Sequence, residues 1–165
     1  MFIAVLAVNK FVNLVAVAVI PVAKTRPVLK HQKKKINMTH TILLVDDEPA
    51  ILECVSELLQ TFFNFDVIIA HGGISAIERY KTQWSEIDCV ILDMIMPDMR
   101  GCEVYKHMKE INPKVKVIVM SGYCNETEKT FMESCGCTYL HKPVDFDVLN
   151  STILETIGTQ NEQNK

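Results

Sequence analysis

The chain has 165 residues, enough for one domain of ordinary size and a short extension. Its 48% apolar content supports a packed core and excludes general disorder. The formal net charge of −3 is unevenly spread: Lys10, Lys24, Arg26, Lys30, Lys33, Lys34 and Lys35 precede Met38 with no acidic residue among them. This leaves ten basic residues against all twenty acidic ones, a net of −10, in the rest. A body that acidic repels nucleic-acid phosphates and suits cations and basic protein surfaces, so direct nucleic-acid binding is not expected.

In chain order, residues 1–23 are almost wholly apolar, interrupted by Asn9, Lys10 and Asn13, and a basic stretch, KTRPVLKHQKKKIN, follows. Charge after the apolar run is the order of a signal anchor with its basic side in the cytoplasm, not of a cleaved leader. A lysine near the middle of such a span costs about 2.5–3.5 kcal/mol. Two readings therefore stand for residues 1–37. One is an inner-membrane anchor through residues 1–23 with the remainder cytoplasmic. The other is an over-extended start, with translation beginning at Met38, one step before the first strand of a cytoplasmic domain.

From residue 38 to 159 short apolar runs alternate with helical periodicity, and residues 160–165 form a polar tail. The expected strands are Ile42–Val45, Val67–Ala70, Cys89–Leu92, Val115–Met120 and Thr138–Leu140. Four are continuous or nearly continuous apolar runs, as in strands buried on both faces of a parallel sheet. Pro49 opens the first helix, whose stripe is Ile51, Leu52, Val55, Leu58, Leu59 and Phe62. Ala76, Ile77, Tyr80 and Trp84 mark the second helix. Val104, Met108 and Ile111 mark the third, closed by Asn112-Pro113. The fourth, Glu126 to Ser134, is the least amphipathic, and Gly136 stands where a left-handed cap would end it. Phe146, Leu149, Ile153 and Ile157 mark the fifth. Five such units imply a single doubly wound α/β domain with a five-stranded parallel sheet, in the flavodoxin-like order 2-1-3-4-5. That order sets strands one and three side by side, with a crevice beyond their carboxyl ends.

Acidic residues gather at those ends. Asp46, Asp47 and Glu48 follow strand one and Asp93 ends strand three. Carboxylates that close need a cation to stay ionised, and Mg²⁺ accepts such a site while keeping several waters. Helix capping would explain Asp47 alone. Ser121 ends strand four and Lys142 follows strand five; alone, each reads as an ordinary turn residue, and only their combination with the acidic residues suits a Mg²⁺–phosphoryl complex. Cys54, Cys89 and Cys102 read as small buried hydrophobes. Cys135 and Cys137 lack the spacing of a redox or zinc motif, so reduced thiols are expected.

The motifs ILLVDDEP, VILDMIMPDMRG, VIVMSGY and YLHKPVD, from about Thr41 to Ile157, resemble those of response regulator receiver domains in two-component, phosphorelay signalling. The resemblance implies a phosphoacceptor switch that assists its own phosphorylation and dephosphorylation and is not otherwise an enzyme. Asp93 would become an aspartyl phosphate, drawing on a sensor histidine kinase or a phosphotransfer protein. Asp46, Asp47, Asp93 and the backbone carbonyl of Ile95 would hold Mg²⁺. Ser121 would bond the phosphoryl group, Lys142 would neutralise it, and Tyr139 with Ser121 would form the switch. The Lys142–Pro143 bond would be cis. A downstream protein would dock on the face made by helix four, strand five and helix five, and a second copy of the chain is a further partner the resemblance allows. A stand-alone receiver is the expectation, with a phosphorylation-independent interaction or adaptor module as the alternative. Such modules have usually lost the aspartate or the lysine, and here both are present. A phosphohydrolase using an aspartyl phosphate would need a second aspartate two residues after Asp46, where Glu48 stands. Ile95 and Tyr123, two residues past Asp93 and Ser121, would flank hydrolytic water and shield the phosphoryl group.

Overall fold

The computed structural model describes residues 4–8, 15–19, 39–122 and 126–158. Within the N-terminal extension the described residues are two strands, β1 (Ala4–Val8) and β2 (Val15–Val19), paired antiparallel. No helix among the described residues is long and apolar enough to cross a membrane. The basic stretch, Tyr123 and the C-terminal tail lie outside the described residues.

The remainder alternates strand and helix: β3 (Thr41–Asp46), α1 (Pro49–Phe63), β4 (Asp66–His71), α2 (Gly73–Gln83), β5 (Cys89–Leu92), α3 (Gly101–Ile111), β6 (Val117–Ser121), α4 (Glu126–Ser134), β7 (Thr138–His141) and α5 (Phe146–Gly158). All pairings in this five-stranded sheet are parallel, in the order β4-β3-β5-β6-β7, so that, counted from β3, the order is the expected 2-1-3-4-5. Because strand side chains alternate between faces, each central strand feeds two cores. Leu43, Val45, Val90, Leu92, Val117 and Val119 pack on the face covered by α2, α3 and α4. Ile42, Leu44, Cys89, Ile91, Ile118 and Met120 pack on the face covered by α1 and α5. Burying each such aliphatic side chain stabilises the fold by about 1.5–3 kcal/mol.

Double-sided burial holds for β3, β5 and β6 but not for the edges, where β4 and β7 are half-exposed along much of their length. The strand expected from Val115 begins at Val117 instead. Asn112 turns the chain there: its side-chain oxygen accepts from the Lys114 amide and its carbonyl from the Val115 amide. Phe62 and Trp84, expected on buried stripes, are exposed, at the last turn of α1 and just past the end of α2. After α1 the chain enters the left-handed region at Asn64 (φ 59°), and Phe65 takes the core position beyond it. Cys54 and Cys102 are half-buried, whereas Cys89 is buried as expected. α4 ends as the sequence indicates. Gly136 adopts φ 79°, its amide donates to the Glu133 carbonyl, and the Cys137 amide donates to that of Met132.

Candidate functional site

Sheet register assembles the acidic site. β3 and β5 pair Ile42 with Cys89 and Val45 with Leu92, and the Asp93 amide extends the ladder by donating to the Val45 carbonyl at 3.0 Å. One step further, Asp46 and Asp93 stand beside each other at the carboxyl ends, on the face that carries α1 and α5. Both are buried. Lys142, just past β7, reaches across the sheet to join them: its Nζ donates to Asp46 Oδ2 at 2.6 Å and to Asp93 Oδ1 at 2.7 Å. The Lys142 amide donates to the Ser121 carbonyl, which fixes the base of that reach, and the Lys142–Pro143 bond is cis.

The other carboxylate oxygens bond to backbone. Asp46 Oδ1 accepts from the Glu48 amide at 2.8 Å, and Asp93 Oδ2 from the Ile95 amide at 2.7 Å. Burial pushes the Asp93 carboxyl above its ordinary value. The Lys142 ammonium and the Ile95 amide work against that shift, and Asp46 adds to it. Burial by itself would lower Lys142, but the two carboxylates outweigh it and raise its pKa. One ammonium between two carboxylates leaves a negative balance in a poorly hydrated place, which favours a further cation.

Asp47 is half-buried beside this pair, and the N-cap of α1 is Glu48, not Asp47, with no side-chain cap bond. Among the described residues, no three His, Cys, Asp or Glu side chains converge as a ready-made metal cage. Two buried carboxylates at neighbouring strand ends, with Asp47 and the loop carbonyls close in sequence, fit a hard cation that keeps much of its water and is bound by few protein ligands, as Mg²⁺ does. They do not fit a fully protein-ligated ion.

Ser121 is buried at the end of β6. The Tyr139 hydroxyl donates to its backbone carbonyl at 3.4 Å, and the half-buried Tyr139 ring packs against the core cluster under α3 and α4. Lys129 Nζ stands 5.7 Å from the centre of that ring. Ile95 is half-buried next to Asp93. Gly101 is required at the start of α3, because a Cβ there would lie 2.6 Å from the Asp93 carbonyl oxygen. The Cys137 thiol is pushed up to about 12, chiefly by burial, in keeping with an inert thiol.

Three residues escaped the sequence reading. Asp98 bonds the first amides of α2. Arg100, at the N-cap of α3, forms an ion pair with Glu128 on α4, with Nε–Oε1 at 3.1 Å and Nη2–Oε2 at 2.6 Å. All three pair across elements distant in sequence, so no local pattern could have announced them.

The family model for the response regulator receiver domain matches residues 42–154. The transcriptional regulatory protein ZraR of Escherichia coli K12 is 33% identical over 125 residues, which is 73% of this chain and 28% of that protein. The sensor kinase CckA of Brucella abortus is 28% identical over 144 residues, which is 84% of this chain and 15% of that protein. This chain thus spans about a quarter or less of the curated relatives it matches. Among solved structures, a CheY-like receiver domain protein of Methanospirillum hungatei superposes with a TM-score of 0.71 at 27% identity, covering 76% of this chain and 99% of that one. A receiver domain from Clostridium thermocellum does so at 0.70 and 28%, covering 74% and 97%.

Proposed function

The chain belongs to the response regulator receiver family, a group of phosphoacceptor switches in two-component signalling, and from that premise we propose that Asp93 accepts a phosphoryl group. The observation that carries this reading is the Lys142 ammonium held between buried Asp46 and Asp93. A carboxylate kept dehydrated beside an ammonium group is a competent oxygen nucleophile. The donor is a phosphohistidine on a sensor kinase or a phosphotransfer protein. An Asp93 oxygen forms the new O–P bond as the P–N bond breaks, and the leaving imidazole takes up a proton. Catalysis is positioning and charge neutralisation. Asp46, Asp47, Asp93 and the Ile95 carbonyl would hold Mg²⁺, which when bound offsets charge on the phosphoryl oxygens.

Lys142 shares its ammonium between two carboxylates and can transfer one of those bonds to a phosphoryl oxygen. Ser121 lies at the neighbouring strand end, where its hydroxyl can donate to another. The added group brings about −1.5 to −2 charges. Movement of Ser121 toward it draws Tyr139 inward through the contact at the Ser121 carbonyl, and so reshapes the face of α4, β7 and α5 for a target protein. The change is a shift between two packings of one fold.

The test is to incubate the protein with Mg²⁺ and a small phosphodonor and measure intact mass. A gain of one phosphoryl group that Asp93→Asn abolishes is the expected result. No gain in the wild type would favour an interaction module that works without phosphate.

A further inference from the structure

The loop of residues 94–100 carries Ile95, yet its anchor lies on another element. Asp98 is exposed, and its carboxylate turns to the start of α2: Oδ1 accepts from the Gly73 amide at 3.1 Å and Oδ2 from the Ile74 amide at 2.9 Å. α2 has no cap of its own, since its N-cap residue is Gly72. A carboxylate from across the site therefore satisfies amides the helix leaves open. The glycines make room for it. Gly72 adopts φ 94°, and a Cβ there would meet Asp98 Oδ2 at 2.8 Å; a Cβ on Gly73 would meet the Met99 Cβ at 2.8 Å. Burial works to raise the Asp98 carboxyl, and the amides of Ile74 and Gly73 outweigh it and hold it low.

The same helix start is tied to the acidic pair. The Gly72 amide donates to the Asp46 carbonyl at 3.0 Å, as the Asp93 amide does to the Val45 carbonyl. The contacts close a ring that runs from Asp46 through Gly72 and Gly73 to Asp98, back along the loop to Asp93, and across to Val45.

We infer that Asp98 is a positioning residue that, by capping α2 from the loop, sets the Ile95 carbonyl at its working distance from Asp46 and Asp93. It touches neither the phosphoryl group nor the cation. This rests on the proposed Mg²⁺-dependent phosphoacceptor reading, and it adds a residue that the acidic motif does not contain.

The experiment is calorimetric titration of the full chain with MgCl₂, in wild type, Asp98→Ala, Asp98→Asn and Ile77→Val. The last loosens the core face of α2 without touching its start. Asp98→Ala is expected to weaken Mg²⁺ binding roughly tenfold, the scale set by groups that orient metal ligands. Asp98→Asn, with one acceptor oxygen left, should fall between, and Ile77→Val should bind as the wild type does. In the metal-free protein, amide exchange at Ile74 should quicken in Asp98→Ala, reporting loss of the cap itself. Unchanged affinity in Asp98→Ala alongside faster exchange would overturn the inference and leave the phosphoacceptor reading standing. So would an equal loss in Ile77→Val, which would make the effect one of general stability. A wild type that takes up no Mg²⁺ would overturn the metal reading and the inference together.

Discussion

Asp93 is a residue at odds with its surroundings, and the conflict is measurable. Its carboxyl is raised above the ordinary value of 3.8, so the folded state holds that proton more tightly than the unfolded state does. Ionised Asp93 therefore costs stability above this range. The cost fades as pH falls through the folded pKa and is gone below the unfolded one. Asp93→Asn removes the charge while its side-chain oxygen can still accept from Lys142. Without Mg²⁺ it should raise the thermal midpoint at neutral pH by roughly 2–5 °C, with the gain fading as pH falls toward and below the ordinary value of 3.8; a midpoint at or below wild type at neutral pH would refute this. A second residue-scale expectation concerns the lifetime of the phosphoryl group. Half-buried Ile95 adjoins Asp93, and an apolar side chain there can neither order nor activate water. The Ile95→Asn, Tyr123→Glu double variant should lose label on the order of tenfold faster, less than the roughly hundredfold or more that a fully positioned acid or base supplies. Equal rates of label loss would sink the idea.

At the scale of elements, α4 is held least. Met132 is its one buried residue among those described, and Arg100–Glu128 ties its first turn to the loop that follows Asp93. The pair is partly exposed, with Arg100 43% and Glu128 17% accessible, so its worth is about 0.2–1 kcal/mol despite the forked geometry. Glu128→Gln should accordingly raise amide exchange across α4 by about twofold to fivefold, and leave α1 unchanged. No difference in α4 would mean that the pair holds nothing in place. The weak stripe of α4 was visible in the sequence because periodicity is local, and so were the left-handed stop at Gly136 and the central strands. What periodicity could not give was the fate of stripe ends. Phe62 and Trp84 fit their helical faces, yet they stand at the last turn of α1 and the C-cap of α2 and are left in solvent. The start of β6 was misplaced for a similar reason: Val115 is apolar, but the Asn112 turn claims its amide.

For the molecule as a whole, the acidic site was legible to the extent that fold and strand ends were. Order 2-1-3-4-5 brings Asp46 and Asp93 together, and Lys142 arrives from β7, the far edge of the sheet. The ring through Asp98 was not legible, since it depends on which backbone amides α2 leaves open toward a loop far along the chain. This architecture makes global stability depend on charge at one point. Lys142 is the cation that two buried carboxylates share. Lys142→Ala leaves them facing each other, and breaking a buried pair by removing one partner costs up to about 3–5 kcal/mol. Lys142 keeps some exposure, which places the expected loss at about 1–3 kcal/mol at neutral pH without metal. On the proposed reading Mg²⁺ would bind the folded chain alone and should restore much of it, since a ligand at 100 times its Kd stabilises by about 2.7 kcal/mol. Lowering pH toward the Asp93 pKa should restore part of it as well, because one of the two charges is then removed by protonation. Thermal melts of Lys142→Ala across pH, with and without MgCl₂, measure both effects. A variant whose midpoint responds to neither, or that matches the wild type in the absence of metal, would show that the carboxylates do not need the lysine.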